Sequence, residues 1–435
     1  MSPTAAVNAP DRGRRRLLLA GAGLASAALL GSRPSLASPG RGAPNVVVIG
    51  GGFAGATCAR YLRRWSPGTR VTLVERDAAF VSCPMSNLVL GGSRELASLT
   101  RGYDGLAREG VARIRDEVSA IDATARTVTL SNGSTLRYDR LVVAPGVDMA
   151  PEEVPGLATG MADGRLLHAW KAGPQTVALR RQLEAMPDGG VFALHIPRAP
   201  YRCPPGPYER ACQVAWYFKQ HKPRSKVLVL DANDDIVSKK ALFRAAWDTL
   251  TPGLVEYRPA QALLEVDAAR RALRLAFGEE QADVLNVIPP QRAGAVAVMA
   301  GLVTANGRWC GVDFRSFESV AVPGIHVLGD ATLAAPQMPK SGHMANGQAK
   351  VCAHAIAALL EGREPDPEPV ISNTCYSFVT DRQAVHVASV HRYDAAKQTL
   401  LVVDGTFGVS PALNDREGAY AEAWARNIWA DTLGS

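Results

Sequence analysis

Three cysteines, Cys83, Cys203 and Cys375, are the residues of this chain whose type and setting most favour chemistry. Two of them lie in proline-rich segments, residues 82–87 (Ser-Cys-Pro-Met-Ser-Asn) and 201–209 (Tyr-Arg-Cys-Pro-Pro-Gly-Pro-Tyr-Glu). A thiol can tether a cofactor, exchange electrons as part of a disulfide, or attack a substrate. Which of these applies to each cysteine depends on what the surrounding elements bring next to it.

The other cysteines have settings typical of small buried residues. Seven cysteines in 435 residues are too few for a disulfide scaffold, and none belongs to a close metal-binding pair or a Cys-x-x-Cys-His haem attachment site. We therefore expect no metal site, although one long-range disulfide would suit an oxidising compartment. The cysteines interpreted as core residues are Cys58, Cys212, Cys310 and Cys352.

A dinucleotide-binding unit is predicted near the start of the chain. The β-branched run 45–49 is followed by the glycine-rich turn 50–55, an Ala/Arg/Leu-rich helix, and a strand over 71–74 that ends on an acid. The glycines allow close approach of a pyrophosphate to the helix N-terminus, and the acid is placed to bind a ribose hydroxyl. The residues predicted to bind the cofactor here are Gly50, Gly52, Ala54, Gly55 and Glu75.

Two later segments belong to the same unit. Residues 138–146 have the pattern of a buried strand that ends in a tight turn at Gly146, and residues 324–331 form a strand that delivers Asp330. Both segments resemble motifs of the pyridine nucleotide–disulfide reductase type of flavoprotein, which implies that Asp330 hydrogen-bonds the flavin ribityl chain. The alternative is that Asp330 only caps a turn. Lys340 would favour negative charge on reduced flavin, or else be a surface lysine.

The middle of the chain repeats the strand–turn–helix–strand plan without its glycines. Strands are expected at 190–196 and 227–231, but the turn after the first contains the proline-rich residues 197–206. Prolines lack the amide hydrogens that hold a diphosphate, and the side chains block its close approach. We therefore predict a degenerate second nucleotide site that does not use a nicotinamide cofactor.

Together these patterns predict an α/β fold with two Rossmann-like dinucleotide-binding-type domains and a small α+β C-terminal interface domain. A Pro/Glu-rich linker over 361–369 precedes the last domain, in which short strands are followed by a Trp-rich helix. The predicted bounds are 44–156 and 295–365 for a discontinuous FAD-binding domain, 157–294 for the degenerate NAD-binding-like domain, and 366–435 for the interface domain.

The first 37 residues are predicted to be an export signal. Residues 13–19 (Gly-Arg-Arg-Arg-Leu-Leu-Leu) open an apolar run that reaches Leu30, and residues 35–37 (Ser-Leu-Ala) offer a cleavage site. The paired arginines favour the twin-arginine pathway, which exports folded proteins, so we expect a periplasmic protein. A retained membrane anchor is the alternative, although the run is short and rich in Gly and Ala.

Charge and composition exclude two further classes of protein. Residues 1–37 hold five arginines and one acid, so without them the net charge falls from +7 to about +3. That charge is no nucleic-acid signature. The 47% hydrophobic and 20% charged content is that of an ordinary globular protein, and no second stretch is long enough to span a bilayer. The mature chain is therefore predicted to be soluble.

The cysteine motifs carry a specific resemblance. Residues 80–87 (Phe-Val-Ser-Cys-Pro-Met-Ser-Asn), 200–210 (Pro-Tyr-Arg-Cys-Pro-Pro-Gly-Pro-Tyr-Glu-Arg) and 373–376 (Asn-Thr-Cys-Tyr) closely resemble motifs of the flavoprotein subunit of flavocytochrome c sulfide dehydrogenase. The resemblance covers essentially the whole mature chain. It implies FAD as cofactor, sulfide as substrate, and a c-type cytochrome subunit as partner in a heterodimer.

The resemblance also implies a role for individual residues. Cys83 matches the cysteine that forms a thioether to the flavin, and Cys203 and Cys375 match a redox-active disulfide beside it. Glu209 matches a carboxylate suspected of proton transfer, and Trp429 an aromatic residue near the flavin. The alternatives are a free thiol at Cys83, a purely structural disulfide, and a Glu209 that serves only as a helix N-terminal carboxylate.

The function expected from the sequence is thus a sulfide:cytochrome c oxidoreductase subunit. One alternative is a sulfide:quinone reductase, but the terminal segment 417–429 has too few large apolar residues and too little basic charge for membrane docking. The other is a non-catalytic flavoprotein that activates a sulfur-oxidation partner.

Overall fold

The computed structural model describes residues 42–434, and the export signal predicted over residues 1–37 lies outside the described residues. Mixed α/β structure runs through this part of the chain, and three short 3₁₀ turns occur at Leu96–Leu99, Pro151–Glu153 and Gly329–Ala331. The α-helices described are Phe53–Trp65, Asn87–Gly91, Asp104–Arg108, Leu157–Ala162, Pro174–Ala185, Gly206–His221, Lys240–Leu250, Ala295–Met299, Gly342–Leu360 and Asp415–Leu433.

The largest sheet holds the predicted dinucleotide-binding unit. Five consecutive strands of this sheet are parallel, and two short antiparallel strands follow them at one edge. In spatial order its strands are Val312–Asp313, Glu318–Ser319, Ile325–Val327, Arg140–Val143, Asn45–Ile49, Arg70–Val74 and Ala112–Ile114. Strands from residues 45–143 and from residues 312–327 therefore meet in one sheet.

Alternate residues of the first strand face two different cores. Val46 and Val48 pack in the cluster that contains the helices Phe53–Trp65 and Gly342–Leu360, whereas Val47 and Ile49 pack with residues on the opposite face. Burial on both faces explains why this strand is a continuous β-branched run rather than an alternating one. The predicted strand and helix are confirmed at Asn45–Ile49 and Phe53–Trp65.

The turn between that strand and helix depends on two glycines. Gly50 has φ +95°, and a Cβ built on it would lie 2.3 Å from the Ala144 carbonyl oxygen. A Cβ on Gly55 would lie 1.8 Å from the Gly50 carbonyl oxygen. Any side chain at position 55 would push the helix away from the turn, so its N-terminus could not approach a ligand closely.

A second parallel sheet lies in the middle of the chain, and its strands are in the order Val255–Arg258, Lys226–Asp231, Val191–Ile196 and Val284–Val287. The strands predicted at 190–196 and 227–231 are thereby confirmed. The proline-rich residues between the first of them and the helix Gly206–His221 occupy the turn at the carboxyl edge of this sheet. The fold class predicted from the sequence, with two Rossmann-like units and a smaller C-terminal domain, is confirmed.

The C-terminal part is an antiparallel sheet followed by one long helix. Its strands are Val370–Phe378, Ala384–Asp394 and Thr399–Val402, with Gly408–Val409 pairing to the second of them. The terminal helix Asp415–Leu433 turns its apolar residues, among them Ile428 and Trp429, into the core that also contains the helix Phe53–Trp65. This packing brings the sheet that carries Cys375 up to the first domain.

The remaining strands described form small antiparallel units, none of which contains a predicted site residue. These strands pair as follows: Phe80–Val81 with Thr100–Arg101; Val118–Asp122, Thr127–Leu130 and Thr135–Arg137; Val147–Met149 with Gln291–Ala293; Leu263–Asp267, Ala272–Leu275 and Gly278–Gln281; and Val303–Ala305 with Trp309–Cys310.

None of the helices within residues 42–434 has both the length and the apolar character required to cross a membrane.

Candidate active site

The glycine turn offers an open helix N-terminus. Gly52 is the N-cap residue of the helix Phe53–Trp65, whose first turn carries no acid, and a Cβ built on Gly52 would meet nothing within 4 Å. The Glu75 carboxylate accepts a hydrogen bond from the Gly51 amide at 2.5 Å, so the acid lies directly beside the turn. Small Ala54, also predicted to contact the cofactor, is buried in the first turn of the helix. Free space at a helix N-terminus fits an anionic diphosphate.

Gly146 follows the neighbouring parallel strand at the same edge of the sheet. It follows the strand Arg140–Val143 with φ +68°, a conformation that glycine adopts without strain. Its carbonyl oxygen accepts a hydrogen bond from the Gly294 amide at 3.0 Å, which fixes the turn against the beginning of the helix Ala295–Met299.

Asp330 and Lys340 line one small cavity together with Ser341 and neighbouring residues. Asp330 is in the 3₁₀ turn Gly329–Ala331, where burial raises its pKa and the charges of Arg202 and Lys340 lower it. A carboxyl group in such surroundings is suited to a polar hydroxyl partner such as a ribityl chain.

Lys340 is a buried residue, so the surface-lysine alternative is wrong. Its ammonium group donates hydrogen bonds to the carbonyl oxygens of Asp330 at 2.9 Å and Thr332 at 2.6 Å, and lies 3.7 Å from the centre of the Trp309 ring. Burial lowers the pKa of Lys340 to about 8, while the charge of Asp330 raises it. The residue places a positive charge beside the Asp330 cavity.

The Cys83 segment is anchored by the terminal helix. The Trp429 indole donates a hydrogen bond to the Ser82 hydroxyl at 2.9 Å, and the Arg101 guanidinium lies 4.4 Å from the Trp429 ring centre. Ser82 is fully buried, whereas the adjacent Cys83 is partly exposed. Met85, two residues further on, has φ +73°, which is unusual for a residue with a side chain. The predicted tether and the predicted aromatic residue thus lie in one place.

Cys203 projects from a strained turn. It has φ +59°, its amide donates to the Lys340 carbonyl oxygen at 2.8 Å, and its own carbonyl oxygen accepts from Gly206 at 2.9 Å. A Cβ built on Gly206 would lie 2.9 Å from the Cys203 sulfur, so glycine is needed at that position to make room for the thiol. Backbone strain of this kind is held in place only by its surroundings and is common at active sites.

Cys375 lies in the strand Val370–Phe378, and its thiol donates a hydrogen bond to the Asn373 side chain at 3.5 Å. The same Asn373 oxygen accepts from Ser341, which follows the Lys340 carbonyl group that holds Cys203. Burial raises the pKa of both thiols. Negative charge on Glu209 and Cys375 raises the pKa of Cys203 further. The positive charge of Lys239 lowers the pKa of Cys375. Two buried thiolates would repel each other, so the neutral or joined forms are favoured. Both residues are free thiols in this structure, and the disulfide between them stays a prediction.

Glu209 connects the segments that carry the cysteines. It is in the first turn of the helix Gly206–His221, as the helix-terminus alternative expects, yet only 7% of it is exposed. One carboxylate oxygen accepts from the Phe378 amide at 2.9 Å and the other from the Asn87 side chain at 3.1 Å. Burial raises the pKa of Glu209, and these hydrogen bonds lower it. A buried carboxyl group with a raised pKa is suited to proton transfer near neutral pH.

Two charged residues at the site were not singled out from the sequence. Burial would lower the pKa of Arg202, but the charges of Cys83, Asp330 and Cys203 raise it, so one guanidinium interacts with all three. Lys239 is buried beside Cys375 and Glu209. Lys239 and Lys240 stand at the N-terminus of a helix, where positive charge is unfavourable. This unfavourable pair of lysines is the sequence signal that indicates an unusual role for one of them.

The acid at the end of the strand Lys226–Asp231 is engaged by neighbouring side chains. Asp231 ends the strand Lys226–Asp231, the position from which an acid would bind a ribose. Its carboxylate instead accepts hydrogen bonds from the hydroxyl groups of Tyr208 at 2.7 Å and Tyr257 at 3.0 Å, and it is fully buried. The acid is therefore occupied, and the degenerate nicotinamide site stays a prediction.

Three family models match the chain in succession. The model described as pyridine nucleotide-disulphide oxidoreductase matches residues 44–178. The central region of the sulfide dehydrogenase [flavocytochrome c] flavoprotein chain matches residues 176–289, and the flavin-binding region of flavocytochrome c sulphide dehydrogenase matches residues 367–433.

Curated relatives point to the same group. The flavoprotein chain of sulfide dehydrogenase [flavocytochrome c] from Chlorobaculum thiosulfatiphilum is 58% identical over 48 residues, which are 11% of this chain and 100% of that sequence. Mitochondrial sulfide:quinone oxidoreductase from Mus musculus is 23% identical over 297 residues, 66% of this chain and 65% of that protein. The chain thus aligns with just under two thirds of the mouse protein.

Among solved structures, the sulfide:quinone oxidoreductase of Aquifex aeolicus superimposes with a TM-score of 0.75 at 18% identity, covering 90% of this chain and 92% of that one. The putidaredoxin reductase–putidaredoxin complex gives a TM-score of 0.64 at 19% identity, covering 89% and 93%. At these identities the likeness shows a common fold.

Proposed function

Because this chain belongs to the family of flavoprotein chains of flavocytochrome c sulfide dehydrogenase, we propose that it oxidises sulfide at Cys203 and Cys375 and passes the electrons through FAD to a c-type cytochrome subunit. The observation that carries the proposal is the set of hydrogen bonds that brings Cys203, Cys375 and Glu209 together. The Cys203 amide donates to the Lys340 carbonyl oxygen, the next residue, Ser341, and the Cys375 thiol both donate to the Asn373 side chain, and Glu209 accepts from the amide of Phe378 in the strand of Cys375. This cluster adjoins the turn of Asp330 and the segment of Cys83 through Arg202.

The residues present fit a bound FAD. The open N-terminus at Gly52 would take the diphosphate, Glu75 the adenosine ribose, and Asp330 the ribityl hydroxyls. Lys340 supplies a positive charge next to that cavity, which favours a cofactor that becomes negative when reduced. Cys83, partly exposed beside Trp429, is the thiol we propose as the covalent attachment.

The cysteine pair would perform the sulfur chemistry. Hydrosulfide is a soft nucleophile, and its attack on one sulfur of a Cys203–Cys375 disulfide breaks the S–S bond, leaving a persulfide on one cysteine and a thiolate on the other. The attacking sulfur loses two electrons and the pair gains them, while the proton that came with hydrosulfide passes to the Glu209 carboxylate. FAD, when bound, supplies the acceptor of these two electrons and releases them singly to a partner.

A c-type cytochrome is the acceptor that we propose in preference to a quinone. The terminal helix Asp415–Leu433 turns Ile428 and Trp429 into the protein core, which leaves few large apolar residues for docking on a membrane. A periplasmic location, reached through the predicted twin-arginine signal, agrees with such a partner and belongs to the same proposal.

An anaerobic sulfide titration of the holoprotein tests this function. We expect sulfide to bleach the flavin absorbance at about one equivalent, because one hydrosulfide delivers two electrons. Added oxidised cytochrome c should then restore the flavin absorbance faster than a soluble quinone at equal concentration. A flavin that sulfide leaves oxidised would overturn the proposal, and faster recovery with quinone would replace the cytochrome by the quinone as acceptor.

Glu209→Gln is expected to slow sulfide-dependent flavin reduction by about 10²-fold. Only the carboxylate can take the proton, and burial raises the pKa of Glu209, so the wild-type rate should climb with pH as this group ionises. Ionisation of hydrogen sulfide to hydrosulfide raises the rate of both proteins with pH, so the ratio of the variant rate to the wild-type rate should fall as Glu209 ionises. Stopped-flow rates from pH 6 to 9, taken as the ratio of the variant to the wild type, measure the effect.

Glu368→Gln changes an exposed carboxylate of the same type and is the matched control. Its ratio to the wild type should stay near one at every pH. A Glu209→Gln protein that keeps the wild-type rate but melts at a lower temperature would assign Glu209 the purely helix-terminal role instead.

A further inference from the structure

Lys239 is the most unusual charged residue that the proposed chemistry leaves unused. It is 7% exposed, it precedes the helix Lys240–Leu250, and its backbone has φ +54°. A lysine pays a large desolvation cost when it is buried, and a left-handed backbone adds strain. Such a residue is retained where its charge is matched by its surroundings.

Its ammonium group is held at the strand pair that carries Cys375. It donates hydrogen bonds to the Cys375 carbonyl oxygen at 3.1 Å, the Ser377 hydroxyl at 2.7 Å and the Val385 carbonyl oxygen at 3.4 Å. Ser377 and Val385 are direct partners across the two antiparallel strands. All three donors of the ammonium are therefore used, and its position relative to Cys375 is fixed.

The charges facing Lys239 come from several elements, and most are acidic. Cys203 and Glu209 face it from the turn and helix around 203–221, Cys375 from its strand, and Glu417 from the terminal helix. The Phe243 ring centre lies 5.7 Å from its nitrogen on the remaining side. The surroundings therefore gain from a positive charge, most of all when a sulfur of the pair becomes negative.

We propose that Lys239 is a positioning residue of the cysteine pair, whose ammonium group stabilises negative charge on the Cys375 sulfur whenever the bond between Cys203 and Cys375 is open. The inference rests on the proposed function and deepens it. The ammonium group of Lys239 would thus be the counter-charge for a buried thiolate or an anionic persulfide on Cys375.

The ionisation of the residues agrees with this role. Burial lowers the pKa of Lys239 to about 8, and the charges of Cys375, Glu209 and Cys203 raise it. The ammonium form therefore predominates at neutral pH and is lost as the pH rises above about 8. In turn, Lys239 is the largest influence that lowers the pKa of Cys375 against the effect of burial.

The test is the pH dependence of Cys375 alkylation by iodoacetamide in the reduced, anaerobic holoprotein, measured by peptide mass spectrometry. In Lys239→Gln we expect the rate constant at pH 7.5 to fall about tenfold, because the ammonium group that stabilises the thiolate is lost. The difference from the wild type should shrink above about pH 8, where the wild-type ammonium group also loses its proton. Lys239→Met, which keeps the apolar stem, should behave in the same way. Lys239→Arg should restore the rate to within about threefold.

Ser377→Ala is the matched control, because it removes a hydrogen-bond partner of Lys239 and leaves the charge in place. Its profile should match the wild type. An unchanged rate constant at pH 7.5 in Lys239→Gln, or an equal fall of that rate constant in Lys239→Arg and Ser377→Ala, overturns the proposal in favour of a structural role. Alkylation needs no sulfide, so a lowered rate constant at pH 7.5 in Lys239→Gln, together with a wild-type flavin that does not respond to sulfide, would refute the function and not the role of Lys239.

Discussion

Replacing Cys203 by serine is expected to lower the rate of sulfide-dependent flavin reduction by about 10³-fold or more. A serine hydroxyl cannot join Cys375 in a disulfide, so hydrosulfide has no electrophilic sulfur to attack, and loss of the group that carries the chemistry is among the largest effects of a single substitution. Serine matches cysteine in size and leaves space beside Gly206. Stopped-flow absorbance of the flavin under anaerobic sulfide measures the rate.

Cys212→Ala is the control for this experiment. Cys212 lies on the helix Gly206–His221 that follows Cys203, and it is a buried core residue to which we assign no part in the sulfur chemistry. Its rate should stay within about twofold of the wild type, with a modest loss of stability from the small cavity. A Cys203→Ser protein that still reduces its flavin with sulfide would show that the disulfide is not needed.

The same variant separates an enzyme from a non-catalytic flavoprotein. If the chain only activated a sulfur-oxidation partner, Cys203→Ser would leave that activation intact while its own flavin reduction was lost. If the chain turns over sulfide, cytochrome c reduction and flavin reduction should fall together. Measuring both with one preparation decides between the two functions.

The sequence predicts the elements whose signal is local. The strand Asn45–Ile49, the turn at Gly50 and the helix Phe53–Trp65 follow from a β-branched run, required glycines and a helical composition over about twenty residues. Likewise, prolines between 197 and 206 have a direct steric consequence for a nucleotide. In each case neighbouring residues alone determine the outcome.

Long-range contacts supplied what the sequence could not. Nothing near Asp231 in the chain says that hydroxyl groups of Tyr208 and Tyr257 occupy its carboxylate, since the three residues belong to a helix and two strands. Lys239 is similar, because its partners at 375, 377 and 385 lie more than 130 residues away. A buried charge is visible in sequence only as a local anomaly, here a lysine pair at a helix N-terminus.

The site also explains why its three strained residues occur together. Met85, Cys203 and Lys239 all have positive φ, and each lies at or within two residues of a cysteine or charge of the site. Relaxing any one of them would move a sulfur or an ammonium group away from its neighbours. We infer that the backbone strain is tolerated because it fixes these groups in position.

Cys83→Ser is expected to convert a covalently bound flavin into one that denaturation releases. The hydroxyl of serine does not form the thioether that we propose, while the remaining contacts at Gly52, Glu75 and Asp330 still bind the cofactor in the folded protein. After precipitation with acid, the wild-type pellet should stay yellow and that of the variant should be colourless, with the flavin in the supernatant. Cys203→Ser is the control and should keep its flavin in the pellet.

A thioether at Cys83 would also fix the position of the flavin relative to the cysteine pair. Cys83 is beside Arg202, whose guanidinium also interacts with Asp330 and Cys203, so a link at Cys83 would fix one end of the cofactor at the same charge that faces the cysteine pair. Mass spectrometry of the peptide that contains residues 82–87 should therefore show the added mass of the flavin. Flavin in the supernatant of the wild type, or on a peptide with another cysteine, would refute the attachment at Cys83.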